Sequence, residues 1–178
     1  FRSEAACGTE AGAARHRVEH FELAGPDHVA TMARLGMGAC VQPTFELYWG
    51  GPDGMIERRL GPERARRTNP LRTVLEAGVH LGGGSDSYVT PMDSLLGAHS
   101  AVNRPNESER LAVFEALGLF TAGAAWLSFD EGRRGTLEPG KEASFVVLAE
   151  DPFEVDPARI REIDVVGLYL RGEEVAVA

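Results

Sequence analysis

Residues 79–90 read Val-His-Leu-Gly-Gly-Gly-Ser-Asp-Ser-Tyr-Val-Thr and are followed by a proline. This pattern predicts a short buried strand, a glycine turn, the carboxylate of Asp86 and then a helix. An acidic residue between the carboxyl end of a strand and the next helix is typical of α/β enzymes, because the loops at that end open onto a shared pocket. We therefore expect other functional residues to converge on Asp86.

Two earlier segments have the same arrangement of a short apolar strand followed by helical material. Residues 15–21 predict a strand that ends near His20, and residues 38–43 predict a strand that ends near Gln42. Such alternation is typical of parallel strands joined by right-handed crossovers, which bring the carboxyl ends of the strands to one face. We therefore expect His20, Gln42 and Asp86 to lie at the same end of one sheet.

Three features between the strands carry further expectations. Residues 44–54 are rich in aromatic residues and glycine and are expected to form a loop, either a hydrophobic lid or a loop that contacts the substrate. Asn69, followed by proline, is expected to cap a helix. Thr90 is expected to cap the helix that follows Asp86.

The hydrophobic pattern changes from helical to extended after residue 134. Short apolar segments separated by turns predict a small antiparallel sheet, whose last strand is expected at residues 175–177. We therefore expect two parts, an α/β part at residues 1–134 and a β part at residues 135–178.

The composition indicates a globular protein that acts on a small molecule. Of the 178 residues, 43% are hydrophobic, which is enough for a packed core. The formal net charge of −9 argues against nucleic acid and anionic membranes as partners, and no apolar run has the length that a membrane span needs. Cys7 and Cys40 lack the spacing of a disulfide or metal framework, so we expect free thiols and a cytoplasmic protein.

Residues 16–20 read His-Arg-Val-Glu-His and match the H-x-x-E-H signature of inverted zincins. In that arrangement, a helix of several turns brings His16 and His20 onto one face around zinc. The segment is short, bounded by glycines and centred on valine, so we favour a strand. In a strand, His20 at the end is a candidate metal ligand, whereas His16 lies deeper.

An imidazole and a carboxylate at the same end of a sheet suit a divalent metal. His20 offers a neutral nitrogen ligand, and Asp86 can both bind the metal and accept a proton from its water, whose pKa falls to about 7. Mixed nitrogen and oxygen ligation favours zinc. Because catalytic zinc sites usually have three protein ligands, we expect the other ligands upstream of Phe1 and the chain to be a fragment.

Four motifs occur in order along the chain. Residues 15–20 read Arg-His-Arg-Val-Glu-His, residues 41–45 Val-Gln-Pro-Thr-Phe, residues 84–86 Gly-Ser-Asp, and residues 135–148 begin Gly-Thr-Leu-Glu-Pro-Gly-Lys. Together they resemble the R-x-R-[IV]-E-H, V-Q-P-x-F, G-S-D and G-x-L-x-x-G-K-x-A-D-L-V-V-L motifs of the amidohydrolase-3 group of metal-dependent amidohydrolases. Ser144 stands where that group commonly has aspartate.

The resemblance implies the C-terminal portion of a (β/α)8 TIM barrel, about strands 6 to 8, with strands of a small β-sandwich domain. It implies that His20 is the metal ligand of the sixth strand, and that Asp86, on the eighth, binds metal and acts as general base. The implied reaction is hydrolysis of non-peptide C–N bonds in small amide-type compounds. The implied partner is an N-terminal part of the same protein that carries the other ligands.

Two further expectations follow from the sequence. Three parallel strands leave unpaired edges, so we expect the isolated chain to associate into oligomers, to swap strands or to need its N-terminal part. We also expect it to lack appreciable hydrolase activity by itself. A different class of function also stays open, a standalone, non-catalytic α/β module for binding or assembly that derives from such an enzyme. An H-x-H motif upstream would discriminate in favour of the hydrolase.

Overall fold

Short apolar strands alternate with helices and form a parallel sheet in the first half of the chain. The structure is a computed structural model that describes residues 14–176. The sheet has the order β1-β2-β3 and both strand pairs are parallel. Its strands are β1 (Arg17–Glu19), β2 (Gly38–Val41) and β3 (His80–Gly83). The predicted parallel arrangement is confirmed.

The register of this sheet places apolar residues on one face and combines glycines with longer polar side chains on the other. Val18 lies beside Ala39, and Ala39 lies beside Leu81. This row belongs to the hydrophobic core, in which Ala39 and Leu81 are buried. On the opposite face, a Cβ at Gly82 would lie 2.5 Å from Cδ1 of Leu127, so glycine leaves room there for the helix that carries Leu127.

Helices cover the sheet and connect its strands. Between the strands, buried apolar residues such as Met32 and Val74 attach the helices to the core. The segments before β3 are α1 (Pro26–Arg34), α2 (Thr44–Trp49), α3 (Met55–Leu60), α4 (Pro62–Ala65) and α5 (Leu71–Glu76). Those after β3 are α6 (Ser94–Val102), a 3-10 turn (Glu107–Glu109), α7 (Val113–Gly118), a π-helical turn (Leu119–Gly123) and α8 (Ala124–Leu127).

A second sheet forms the C-terminal part, as predicted. Its three antiparallel strands are β4 (Phe145–Leu148), β5 (Val165–Leu170) and β6 (Glu173–Val175). A 3-10 segment (Pro157–Glu162) precedes β5 and buries Ile160 completely. The two sheets lie on either side of the predicted boundary at residue 134, and the boundary itself stays a prediction.

Four sequence-based expectations are wrong in detail. Residues 44–54 contain α2 and are not all loop, because Thr44 and Glu46 are buried by tertiary contacts. Thr90 does not cap α6; its hydroxyl donates to the carbonyl of Ser85, and the carboxylate of Asp93 caps the helix instead. Asn69 is no helix cap, since it has a left-handed backbone with φ 48°. The last strand ends at Val175.

Some predictions fall on residues that the structure does not describe. Cys7 lies outside the described residues, whereas Cys40 is a free thiol, as expected. Across the part of the chain that is described, no helix combines the length and the apolar character that crossing a membrane would need.

Candidate metal centre

His20 leaves the parallel sheet at the carboxyl end of β1 through an unusual backbone turn. Its N–H donates to the carbonyl of Cys40 at 2.8 Å, which extends the pairing with β2 by one residue. The chain then turns through two consecutive left-handed residues, His20 with φ 70° and Phe21 with φ 56°. Each such residue costs about 1–2 kcal/mol when it has a Cβ, so surrounding contacts must hold this turn.

The imidazole of His20 lies between a carboxylate and an aromatic ring. Its Nδ1 is 3.5 Å from Oε1 of Glu22, and its ring centroid is 5.9 Å from that of Phe45. The side chain is about half exposed. A carboxylate on the Nδ1 side favours the tautomer with a proton on Nδ1, which leaves Nε2 as the nitrogen that can bind a metal.

Asp86 lies in the loop after β3, and that loop is fixed by backbone contacts. The N–H of Gly84 donates to the carbonyl of Val41 at 2.9 Å, so the loop starts in register with β2. Asp86 has a left-handed backbone with φ 50°, and its carbonyl accepts the N–H of Val89 at 2.7 Å. The carboxylate side chain is exposed and therefore available to a ligand.

Gln42 occupies the end of the central strand, as predicted, but it is buried. Its Nε2 lies 3.9 Å from the sulfur of Cys40. Its Oε1 is buried and has no hydrogen-bond partner among the described residues. Gln42 thus follows the central strand, between the strands that lead to His20 and Asp86, and its side chain is buried.

The surroundings of Cys40 favour the protonated form of its thiol. Burial, followed by a hydrogen bond with the carboxylate of Glu19, raises the pKa of Cys40 to about 12. A protonated thiol is a poor metal ligand. The candidate ligands His20 and Asp86 offer nitrogen and oxygen instead.

The two candidate ligands fit part of a metal site. His20 and Asp86 follow the outer strands of a three-stranded sheet, and an imidazole and a carboxylate are the donor types that a divalent metal such as zinc takes. Catalytic zinc sites usually have three protein ligands. Within residues 14–176, no group of three or more His, Cys, Asp or Glu side chains lies close enough to hold a metal ion.

The zincin interpretation of residues 16–20 is wrong. Arg17–Glu19 forms a strand that pairs with β2, and the two histidines flank it. The helical geometry that would bring His16 and His20 together around zinc is therefore absent from this segment. The expectation that His16 lies deeper than His20 is also wrong, because His16 is exposed at the amino end of the strand.

A cleft opens beside the loop of Asp86. It has a volume of about 270 Å³, and Gly84 and Ser85 line it together with Ser94 of α6 and the ring of Phe120. A side chain at Gly83 would overlap that ring. The glycine run therefore does more than turn the chain, because it gives Phe120 room against the end of β3.

Sequence reasoning does not single out Glu22. The available signal is its position two residues after a candidate metal-binding histidine, since ligating histidines commonly pair their second nitrogen with a carboxylate. The contact becomes evident only when the left-handed turn at His20 and Phe21 folds the chain back.

The chain is similar to a known family over almost its entire length. The sequence profile described as the amidohydrolase family matches residues 3–176. YtcJ of Bacillus subtilis (strain 168), which is named as an amidohydrolase, is 33% identical over 175 residues, covering 90% of this chain and 32% of that protein. N-substituted formamide deformylase of Arthrobacter pascens is 28% identical over 163 residues, covering 88% of this chain and 30% of that protein. The chain thus spans about a third of the length of these relatives.

A solved structure supports the same relationship. The crystal structure of an uncharacterized metal-dependent hydrolase from Pyrococcus furiosus superposes with a TM-score of 0.70 at 33% sequence identity. The match covers 79% of this chain and 29% of that chain.

Proposed function

This chain belongs to the amidohydrolase family, and on that basis we propose that it contributes His20 and Asp86 to the metal centre of a hydrolase. The hydrolase would cleave non-peptide C–N bonds in small amide-type compounds. One observation carries the proposal: His20 and Asp86 follow the outer strands of one parallel sheet at the same end, both with left-handed backbones. Residues that deviate in this way cluster at functional sites.

The roles of the two residues follow from their chemistry. His20 binds the ion through a neutral ring nitrogen, while the carboxylate of Glu22 lies on the other side of the ring. A divalent metal, when bound, supplies a Lewis acid that activates water and polarises the substrate carbonyl. Asp86, which is exposed, would hold the same ion, and its carboxylate would accept the proton of the attacking water and deliver it to the leaving nitrogen.

The fold supports this assignment. In the proposed architecture, β1, β2 and β3 are about strands 6 to 8 of a (β/α)8 barrel, and β4, β5 and β6 belong to a small β-sandwich domain. The parallel order, the helical crossovers and the functional loops at the carboxyl ends are all features of such barrels. Both outer strands of the first sheet have an edge without a partner strand within residues 14–176, which fits pairing with further barrel strands.

We further propose zinc as the metal, because an imidazole and a carboxylate together favour it. An N-terminal part of the same protein would supply the other ligands, and the substrate would be a small molecule. We also propose that the protein is cytoplasmic and oligomeric.

The test uses the complete gene product that contains these residues. Its zinc content is measured by elemental analysis, and its turnover is measured on a panel of N-substituted formamides and other small amides with zinc added. We expect zinc in the wild type, and both zinc content and turnover at least tenfold lower in His20→Ala and in Asp86→Asn. The matched control is His28→Ala, which removes an exposed histidine from α1. A wild-type protein without metal and without turnover would contradict the proposal and favour the non-catalytic module.

A further inference from the structure

The turn that carries His20 is tied to a distant part of the chain. The carbonyl of Glu22 accepts the backbone N–H of Asn69 at 2.8 Å. This hydrogen bond closes the segment from His20 to Glu22 at its far end, while the bond from His20 to the carbonyl of Cys40 closes it at the sheet. Two unfavourable left-handed residues thus lie between two fixed points.

Asn69 is itself held in an unusual conformation. Its backbone is left-handed with φ 48°, and the residue is buried. Its side-chain Nδ2 donates to Oε1 of Glu46 at 2.7 Å, and the hydroxyl of Thr68 donates to the same oxygen at 2.8 Å. Asn69 therefore connects the backbone of Glu22 to the carboxylate of Glu46.

Glu46 forms a buried ion pair with Arg104, the second residue after α6. Nη2 of Arg104 is 3.8 Å from Oε1 of Glu46, and both side chains are almost completely buried. The guanidinium also donates to the backbone carbonyl of Thr68 at 3.0 Å and to that of Asn69. Burial lowers the pKa of Arg104 and the charge of Glu46 opposes that change.

Such a pair adds little net stability. Removing two charges from water costs roughly as much as their attraction returns, and apolar replacements of the same volume are often neutral or stabilising. What the pair does provide is a fixed geometry, because both backbone carbonyls of residues 68–69 and one side-chain amide are bound to it. This cluster is connected to the turn at His20 through the backbone of Glu22.

We propose that Asn69, held by the Glu46–Arg104 pair, is a positioning residue for the metal ligand His20. It fixes the left-handed turn so that Glu22 faces Nδ1 and Nε2 is presented to the metal. The inference rests on the proposed function, because it takes His20 as a ligand. In this scheme, Asn69, Glu46 and Arg104 contact neither the metal nor the substrate. They act by fixing the orientation of the His20 ring.

The decisive variant is Asn69→Gly in the complete gene product. Glycine tolerates the left-handed backbone and keeps the N–H that binds Glu22, but it removes the side-chain bond to Glu46. The matched control is Asp53→Gly, which makes the same kind of change at an exposed left-handed residue with φ 59°. Glu22→Ala tests the carboxylate, and its control is Glu63→Ala, where the side chain is 82% exposed.

The readouts are the zinc dissociation constant, measured by competition with a chelator, and the visible absorption spectrum of the cobalt-substituted protein. We expect the zinc dissociation constant to rise about tenfold in Asn69→Gly and in Glu22→Ala, with a changed cobalt spectrum. In both controls, zinc affinity and the spectrum stay as in the wild type. The thermal unfolding midpoint of each metal-free variant shows whether the fold is intact.

Unchanged zinc affinity and an unchanged cobalt spectrum in Asn69→Gly, together with weakened binding in His20→Ala, would overturn the positioning role and leave the proposed function standing. A wild-type protein that binds no zinc would overturn both. A fall in zinc affinity that is matched by an equal fall in Asp53→Gly would also overturn the positioning role, since any left-handed glycine would then have the same effect.

Discussion

The ring of His80 stacks on the indole of Trp126, with centroids 3.7 Å apart and an interplanar angle of 15°. His80 begins β3, at the opposite end of the strand from Asp86, and Trp126 belongs to α8. The guanidinium of Arg15 lies over the indole of Trp126, 4.9 Å from the ring centroid. This stack attaches α8 to the sheet at the end away from the candidate metal centre.

Replacing Trp126 should therefore weaken the fold without a direct effect on the metal. Because the indole is only partly buried, we expect Trp126→Ala to lower the free energy of unfolding by about 2 kcal/mol, less than for a fully buried tryptophan. Trp126→Phe, which keeps a ring, should lose about half as much. Urea unfolding of the complete gene product measures both, and equal stability of Trp126→Ala and the wild type would show that the stack does not support α8.

Alanine substitutions at two helical glycines are expected to change the stability of the protein in opposite directions. A Cβ at Gly123 would overlap the carbonyl oxygen of Leu81, which is backbone and cannot turn away, whereas a Cβ at Gly118 meets nothing within 4 Å. We expect Gly123→Ala to destabilise the protein by about 2 kcal/mol, and Gly118→Ala to stabilise it by about 0.5 kcal/mol. The thermal unfolding midpoints of the two variants check this. If both variants shift the midpoint in the same direction, the close packing of the π-helical turn on β3 is contradicted.

The buried His99 of α6 predicts a dependence of stability on pH. Burial, then the charge of Arg161, lowers the pKa of His99 below its usual value of 6.5. The folded state therefore resists protonation that the unfolded state accepts, so stability is complete above about pH 6.5 and is lost as the pH falls below it. Unfolding midpoints between pH 7.5 and about pH 5 should decrease less in His99→Gln than in the wild type, and an equal decrease in both proteins would contradict this role of His99.

An ion pair between two helices should contribute modestly. Arg72 of α5 binds both carboxylate oxygens of Glu115 in α7, at 2.7 and 2.5 Å. The hydrogen bond from Arg72 lowers the pKa of Glu115, so the contribution is present above the ordinary pKa of the carboxyl and is lost as the pH falls through the lowered value. Since both side chains are partly exposed, we expect Arg72→Met to cost about 1 kcal/mol or less at pH 7, and less as the pH falls through the lowered pKa of Glu115, by urea unfolding. The part of the cost that comes from the bonds between Arg72 and the carbonyl of Arg110 should not change with pH.

The sequence predicts the three parallel strands and the residues at their carboxyl ends, because hydrophobic periodicity and glycine position are local properties. His20, Gln42 and Asp86 accordingly lie at the carboxyl ends of parallel strands, as expected. What the sequence does not predict depends on contacts between distant residues. The aromatic residues of α2 are weak helix formers, and that helix is stabilised by the burial of Glu46 against Thr68 and Asn69.

The turn at His20 is hidden from sequence reasoning for the same reason. Histidine is more frequent than most non-glycine residues at positive φ, but phenylalanine is not, and nothing in this dipeptide indicates two consecutive left-handed residues. The bond from Asn69 to Glu22 joins segments on either side of β2, and periodicity carries no information about such a bond.

Anomalous diffraction at the zinc edge tests most directly whether His20 and Asp86 bind one metal ion. Crystals of the complete gene product with zinc should give an anomalous peak about 2.0–2.2 Å from Nε2 of His20 and from a carboxylate oxygen of Asp86. A zinc peak at a site that contacts neither residue, in a protein that turns over amides, would contradict the proposed metal centre.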